Sequence, residues 1–128
     1  MISIYCDGAS KGNPGPASIG VYAVQEGKEV FTISEALGNG TNNFAEWTSL
    51  IQALKKSIEN KFLDVEIFMD SELVVRQFNG VYKTKHPDLI PLKQEAMKLA
   101  AQFHSIKLTH IPREKNKNAD TLANKALQ

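Results

Sequence analysis

The stretch ISIYCDGASKGNPGP, residues 2–16, decides the fold of this chain. Its first part, Ile2–Asp7, alternates apolar and polar side chains and is rich in residues that favour strands, which predicts a half-buried strand. Its second part, Gly8–Pro16, is dense in Gly, Pro, Asn and Ser, which predicts a loop. The first strand therefore ends in an aspartate, Asp7, and a glycine-rich segment follows it directly.

Two further strands are predicted directly after this loop. They cover Ser18–Val24 and Val30–Leu37, and a turn near Glu26 and Gly27 joins them. Because short connections join antiparallel neighbours, the first three strands are expected to form a meander.

The rest of the chain alternates helices with strands. Apolar residues take helical spacing from Trp47 onward, and Asn43 with Glu46 three residues later fits a capping box at the start of that helix. The later predicted elements are a strand at Val65–Met69, a short helix at Leu73–Phe78, a longer helix from Leu89 to Phe103 with Asp88 as its cap, a strand at Ile106–Ile111 and a final helix at Ala119–Leu127.

This order of elements predicts an α/β fold in a single domain over residues 1–128. We expect a five-stranded mixed sheet, with three antiparallel strands and then two parallel strands, flanked by helices. The fourth strand should pair with the first, and the fifth with the fourth, through right-handed crossovers.

The composition excludes several classes of protein. The single cysteine, Cys6, excludes an internal disulfide and argues against a cysteine-built metal site. No apolar run is long enough for a membrane span, and the start shows no signal-peptide pattern, so we expect a cytoplasmic protein without a membrane partner. The net charge of +1 restricts any nucleic-acid footprint to a local tract, for which Arg113–Lys117 with Lys11 is the candidate. A solvated loop is the alternative interpretation of that tract.

Four acidic residues are expected to meet at one end of this sheet. Asp7 and Asp70 stand at the ends of two parallel strands, so they lie at the same edge. The helix that precedes the fourth strand runs in the opposite direction and starts at that edge with Glu46 in its first turn. Asp120 stands at the start of the last helix, which follows the fifth strand. This edge is the carboxyl end of the parallel strands, where open α/β sheets place their ligands.

Each of these residues also has a purely structural interpretation: Glu46 could complete a capping box, Asp70 could cap a helix, Asp120 could complement a helix dipole, and Asp7 could begin an Asx turn.

Four acidic residues at one edge of the sheet are harder to explain by separate structural roles. Two unit charges 4 Å apart repel by about 4 kcal/mol at an effective dielectric of 20, and several such pairs rival the stability of a domain, about 5–15 kcal/mol. A bound cation would offset this repulsion, and hard oxygen ligands favour Mg²⁺ or Mn²⁺. Since two such ions about 4 Å apart can activate a water and stabilise the leaving oxygen of a phosphodiester, the residues predict metal-assisted phosphoryl transfer to water.

Four segments carry a recognisable pattern: Asp7–Pro16, Thr41–Glu46, Met69–Ser71 and Asn116–Asp120. Their order and spacing resemble the signature segments of type I ribonuclease H, and the resemblance covers essentially the whole chain. It implies a ribonuclease H-like fold and an endonuclease that cuts the RNA strand of an RNA–DNA hybrid, leaving 5′-phosphate and 3′-hydroxyl ends. It also implies two Mg²⁺ or Mn²⁺ ions per site, held by the catalytic quartet Asp7, Glu46, Asp70 and Asp120. We expect a monomer, and the sequence leaves activity on double-stranded RNA open.

The resemblance also points to residues that contact the substrate. The expected set is Gly8, Lys11, Gly12, Asn13, Asn42, Asn43, Ser71 and Asn116. A loop of small residues lets backbone amides approach phosphate and ribose, and the ribose 2′-hydroxyl allows a site to distinguish RNA from DNA.

The chain departs from the family pattern at two places. Many members carry a catalytic histidine in a glycine-containing loop before the last acidic residue, whereas Thr109–Glu114 resembles the variant in which an arginine takes this role. We therefore expect Arg113 to be catalytic, with His110 as the alternative. Some members carry a basic helical insertion that grips the hybrid, but the segment Asn79–Pro87 is too short for one, and we expect no separate hybrid-binding domain.

Two other functions remain open at this point. The first is a relative that binds hybrids or another partner without cutting, and the presence of all four acids argues against it. The second is another nuclease of the same superfold, because fold alone does not determine function. The glycine-rich loop after Asp7 and the pair Asn42-Asn43 before Glu46 favour ribonuclease H.

Trp47 is expected in the hydrophobic core, because it takes helical spacing with apolar residues of the same helix, rather than stacked on a nucleotide.

Overall fold

A computed structural model describes residues 1–128. In chain order the elements are β1 (Ile2–Ser10), β2 (Gly15–Gln25), β3 (Lys28–Gly40), α1 (Asn42–Glu59), β4 (Asp64–Met69), α2 (Glu72–Phe78), α3 (Ile90–Ala100), β5 (Ser105–His110), a 3₁₀ turn (Arg113–Lys115) and α4 (Lys117–Lys125). None of the helices is long and apolar enough to cross a membrane.

The five strands form one mixed sheet in the order β3-β2-β1-β4-β5. β1 pairs antiparallel with β2, and β2 pairs antiparallel with β3, as the predicted meander requires. β4 runs parallel to both β1 and β5. The predicted fold class and strand pairing are thus confirmed.

Helices cover the two faces of this sheet. Apolar side chains of β1 and β2, such as Ile4 and Val21, belong to one buried cluster with Trp47 and Leu54 of α1. On the opposite face α4 packs against β2, where a Cβ on Gly20 would lie 2.0 Å from the carbonyl oxygen of Ala119. Trp47 is 0% exposed, so its predicted place in the core is confirmed. The position of α4 matters for function because it brings the last acidic residue to the sheet.

Tertiary pairing shortens the predicted glycine-rich loop. Gly8, Ala9 and Ser10 continue β1 and pair with Ile19, Ser18 and Ala17 of β2, which itself begins at Gly15. Only residues 11–14 are left for the turn. Turn-forming residue types set a local preference, and the ladder of hydrogen bonds to β2 outweighs it here.

Two predicted helix caps are wrong. The N-cap of α1 is Thr41, whose side-chain oxygen accepts from the Phe44 amide at 3.1 Å, so Glu46 lies past the first turn and completes no capping box. α3 begins after Leu89 without a side-chain cap, and Asp88 does not serve as one.

Candidate active site

Three carboxylates from different elements meet at the end of the sheet. Asp7 lies in β1, Glu46 in α1 and Asp70 directly after β4, and carboxylate oxygens of all three lie within 4.8 Å of one another. The parallel register of β1 and β4 explains why Asp7 and Asp70 are close. Cys6 pairs with Met69, so the next residue of each strand, Asp7 or Asp70, reaches the same edge of the sheet. Asp7 is 6% exposed and Glu46 9% exposed, so little solvent screens the cluster.

The position of Glu46 depends on a close approach between β1 and α1. A Cβ on Gly8 would lie 2.3 Å from the backbone carbon of Ala45 and from the backbone nitrogen of Glu46. Glycine therefore lets the strand contact the helix backbone. The Gly8 amide donates to Oε1 of Glu46 at 2.6 Å, which holds the carboxylate toward the cluster.

Asp120 reaches the cluster through α4. Ser18 Oγ in β2 donates to the carbonyl oxygen of Ala123 at 2.6 Å, and Ser34 Oγ in β3 donates to that of Leu122 at 2.6 Å. These contacts seat the helix on the sheet and bring the Asp120 carboxyl close enough to Asp7 to raise the pKa of Asp7. Asp120 thus lies beside the compact group of three rather than within it.

Burial and mutual repulsion oppose ionisation of this cluster. Burial first, then the charge of Asp70 and the contact with Asp120, raise the pKa of Asp7 from 3.8 to about 8. Burial, followed by the charges of Asp7 and Asp70, raises the pKa of Glu46 well above its usual range, while the Gly8 amide and Arg113 partly oppose this. Without a cation, protonation relieves the repulsion among these groups.

The donor set suits a hard cation. Three carboxylates converge with no histidine or thiol among them, and Mg²⁺ and Mn²⁺ prefer such oxygen ligands. The neighbouring Cys6 thiol is buried, and burial raises its pKa well above the ordinary value, so it offers no thiolate ligand. A divalent cation would supply the positive charge that the cluster lacks.

An open cleft of about 470 Å³ contains these carboxylates. Its lining residues are Asp7, Gly8, Ala9, Ser10, Lys11, Asn42, Glu46, Asp70, Arg113, Asp120, Asn124 and Leu127. An acidic floor therefore lies beside two basic side chains, Lys11 and Arg113. This combination suits an anionic substrate that meets bound cations.

Comparison with known proteins decides the family. A family model described as reverse transcriptase-like matches residues 5–126. The crystal structure of ribonuclease H1 from Halobacterium salinarum is 42% identical, superposes with a TM-score of 0.96, and the match covers 98% of this chain and 96% of that chain. The chain belongs to the ribonuclease H family.

Two further ribonuclease H structures support this assignment. The N-terminal ribonuclease H domain of Rv2228c from Mycobacterium tuberculosis is 40% identical with a TM-score of 0.95, and the match covers 99% of this chain and 98% of that chain. LC11 ribonuclease H1, isolated from compost, was crystallised with an RNA/DNA hybrid; it is 42% identical with a TM-score of 0.92, over 98% of this chain and 96% of that chain. The present chain spans 35% of the length of the full mycobacterial relative and 64% of that of ribonuclease HI from Halobacterium salinarum.

Within this ribonuclease H fold the predicted site residues divide into three groups. The structure brings all four acids together with Gly8, Lys11, Asn42 and Arg113 in the cleft. Asn13 and Asn43 instead line a neighbouring groove of about 520 Å³. The groove and the cleft are connected by a hydrogen bond, in which the backbone amide of Asn42 in the cleft donates to Oδ1 of Asn13 in the groove at 3.0 Å. The Gly8 amide, expected to approach the substrate, is already bonded to Glu46.

Three residues predicted to contact the substrate lie outside both cavities. Gly12 has φ +93° in the turn between β1 and β2, so its backbone shape accounts for the glycine. Ser71 is the N-cap of α2, and its side chain accepts from the Val74 amide at 3.3 Å, which also excludes Asp70 as the cap. Asn116 is 1% exposed, and its side-chain amide donates to the carbonyl oxygen of Cys6 inside the protein.

The two candidates for the catalytic loop residue are placed differently. Arg113 begins the exposed 3₁₀ turn, lines the cleft, and its positive charge acts on both Asp7 and Glu46. His110 ends β5 as an exposed residue and does not line the cleft. The geometry therefore favours Arg113.

Sequence reasoning missed four residues of the cleft, of which Asn124 and Leu127 come from the end of the chain. A helical signal for Asn124 was present, since it follows Asp120 by four residues and residues at that spacing share a helix face. Ala9 and Ser10 were expected in a loop, and their place on the cleft wall depends on the extended β1.

Proposed function

We propose that this protein is an endoribonuclease that hydrolyses the RNA strand of RNA–DNA hybrids and leaves 5′-phosphate and 3′-hydroxyl ends. The observation that carries this proposal is the group Asp7, Glu46 and Asp70, with Asp120 beside it, in a cleft that also presents Lys11 and Arg113. The relative LC11 ribonuclease H1, which shares this fold, was crystallised with an RNA/DNA hybrid. The unit of activity is the single domain formed by residues 1–128, acting as a monomer.

In this proposal the four acidic residues hold two divalent ions, Mg²⁺ or Mn²⁺. When bound, the ions activate a water and neutralise charge on the phosphate under attack. Asp7, Glu46 and Asp70 contribute oxygen ligands from three rigid elements, so the site is ordered before substrate arrives. Lys11 and Arg113 attract the phosphate backbone to the cleft wall.

We propose that the surface binds a duplex rather than a single strand. The cleft and the neighbouring groove meet at the hydrogen bond between Asn13 and Asn42. We propose that the RNA strand lies over the carboxylates and that the DNA strand follows the groove past Asn43. Recognition of the RNA strand then requires a contact to its 2′-hydroxyl, since that group distinguishes it from DNA.

We further propose that this is a small form of the enzyme, with an arginine in the loop before Asp120 and no basic insertion. The segment between α2 and α3 contains no helix, which supports the second point. The position of Arg113 in the cleft supports the first.

A matched set of substrates tests the function. The RNA strand of a hybrid is expected to be cut with Mg²⁺ or Mn²⁺ and left intact with EDTA, while DNA duplexes and single-stranded RNA stay intact. A double-stranded RNA lane decides whether that substrate is also cut. End-group analysis should find 5′-phosphates. Ends with 2′,3′-cyclic phosphate would contradict the proposal, because the ribose hydroxyl would then be the nucleophile.

Arg113→Ala is expected to lower kcat roughly 10- to 100-fold, which corresponds to about 1.5–3 kcal/mol for a lost hydrogen bond to a charged group. An arginine keeps its charge and cannot act as a base, so its role is to orient the cleaved phosphate or to assist product release. Hybrid affinity should fall much less, because the other contacts remain. His110→Ala, which removes a side chain outside the cleft, is the matched control and should stay near wild type. A larger loss of kcat for His110→Ala in a folded protein would reverse the assignment.

A further inference from the structure

Asn116 occupies an unusual position for a residue of a surface turn. It follows the 3₁₀ turn and precedes α4, yet it is 1% exposed. Its Nδ2 donates to two acceptors, the carbonyl oxygen of Cys6 at 2.9 Å and Oδ2 of Asp70 at 3.0 Å. Its Oδ1 is buried without a hydrogen-bond partner. A buried, unpaired oxygen costs stability, so it offsets part of what the two bonds made by Nδ2 contribute.

The orientation of the Asn116 amide follows from its neighbours. Both groups facing Nδ2 are acceptors, and a reversed amide would place Oδ1 against a carbonyl oxygen and a carboxylate. Both hydrogens of the NH₂ group are therefore used, one on the residue before Asp7 and one on Asp70 itself. This arrangement fixes the Asp70 carboxylate relative to β1.

The backbone of Asn116 extends the same set of contacts. Its carbonyl oxygen accepts from the Asp120 amide at 3.1 Å, and its own amide donates to the carbonyl oxygen of Arg113 at 3.0 Å. A single buried residue thus contacts Asp70, the strand that carries Asp7, the Asp120 amide and the Arg113 turn. Apart from the two bonds of Asn116, the only side-chain hydrogen bond that joins two of the segments carrying the acidic residues is that of the Gly8 amide with Glu46, between β1 and α1.

We propose that Asn116 is a positioning residue that orients the Asp70 carboxylate for a divalent cation, and that it does not contact the substrate. The inference rests on the proposed function, because it presumes that the acidic cluster binds metal. Residues that hold metal-binding carboxylates in place typically change metal affinity by about 10- to 100-fold when they are removed. A substrate contact would instead change KM for the hybrid at saturating metal.

The test compares Asn116→Ala with Gln77→Ala, a matched control. Gln77 is another buried amide, 6% exposed, whose Oε1 accepts from the Trp47 indole at 3.3 Å, and it does not line the cleft. Calorimetry and thermal melts report Mg²⁺ affinity without substrate, and cleavage assays report the Mg²⁺ concentration that gives half-maximal rate. We expect both Mg²⁺ measures to weaken about 10- to 100-fold for Asn116→Ala and to stay at the wild-type value for Gln77→Ala, with KM at saturating Mg²⁺ unchanged in both.

Three outcomes would overturn the positioning role. The first is an Asn116→Ala protein with wild-type Mg²⁺ affinity. The second is an increase of KM at saturating Mg²⁺ without a change in Mg²⁺ affinity, which would restore the substrate contact. The third is loss of the fold in both Asn116→Ala and Asn116→Ser, which would make the residue purely structural. Wild-type protein that neither binds Mg²⁺ nor cuts a hybrid would instead refute the proposed function, so the two failures are distinguishable.

Discussion

Asp70→Asn is expected to lower the rate of hybrid cleavage by more than about 100-fold, beyond the 10- to 100-fold loss typical of residues that only support a ligand. The change removes one negative charge and one anionic oxygen from a cluster whose members lie within 4.8 Å. It does not disturb a helix cap, because Ser71 caps α2. Loss of activity therefore reports the site and not the fold.

The same substitution is expected to raise the melting temperature of the metal-free protein. In wild type the folded state holds a proton on Asp7 between pH 3.8 and about 8 that the unfolded state releases, so stability falls as pH rises through this interval. Since Asp70 contributes to the raised pKa of Asp7, its removal should reduce that loss. Melts in EDTA should show a larger gain for the mutant at about pH 9 than at about pH 6.

Added Mg²⁺ should reverse the order of the two proteins. Ligand binding to the native state stabilises it by mass action, and wild type should bind more tightly than Asp70→Asn. Asp64→Asn, an exposed position at the opposite end of β4, is the matched control and should behave as wild type. An active Asp70→Asn protein with a wild-type response to Mg²⁺ would remove Asp70 from the site and leave the two-metal mechanism without support.

Gly8→Ala is expected to damage both stability and activity. The added methyl would lie 2.3 Å from backbone atoms of Ala45 and Glu46, so β1 and α1 must separate. Overpacking of this kind costs about 1–3 kcal/mol. The separation also breaks the 2.6 Å bond from the Gly8 amide to Glu46, so the carboxylate that we propose as a metal ligand loses its orientation. We expect at least about a tenfold loss of cleavage rate even well below the melting temperature.

Denaturant unfolding and cleavage assays on the same preparations measure these two effects. Gly27→Ala is the matched control: it adds a methyl in the turn between β2 and β3, where no atom lies within 4 Å, so its cost is limited to the positive φ of 78°, and it lies outside both cavities. A Gly8→Ala protein as active as Gly27→Ala would show that the close approach of strand and helix is not required.

The element order and the meeting of four acids could be predicted because both follow from rules that act on sequence. Apolar periodicity separates helices from strands, and the preference for right-handed crossovers places successive parallel strands side by side. Asp7 and Asp70 each follow the last residue pair of the parallel β1–β4 ladder, Cys6 with Met69, so their proximity follows from register alone. Asp120 begins the helix after the fifth strand and reaches the same edge for the same reason.

Local sequence patterns did not predict helix caps and strand ends correctly where contacts between segments distant in sequence determine them. Ser71 and Asp70 are both good caps by residue type, and only the folded backbone shows that Ser71 accepts from the helix. The segment Gly8–Ser10 has the composition of a turn, but β2 supplies a partner for its backbone. Residue types differ in their preference for strand conformation by about 1 kcal/mol, and the stabilisation from hydrogen bonding to β2 exceeds that difference here.

The sequence by itself determined the α/β architecture, the edge of the sheet that carries the acidic residues and the chemistry of their side chains, because residue type and period are local properties. Only the tertiary structure decided that Asp7, Glu46 and Asp70 form the compact group, that Gly8 contacts the backbone of α1, and that Asn116 is buried. Burial and distance depend on how β1, α1 and α4 pack together. The raised pKa of Asp7 follows from that packing, since desolvation exists only once the surrounding chain has excluded water.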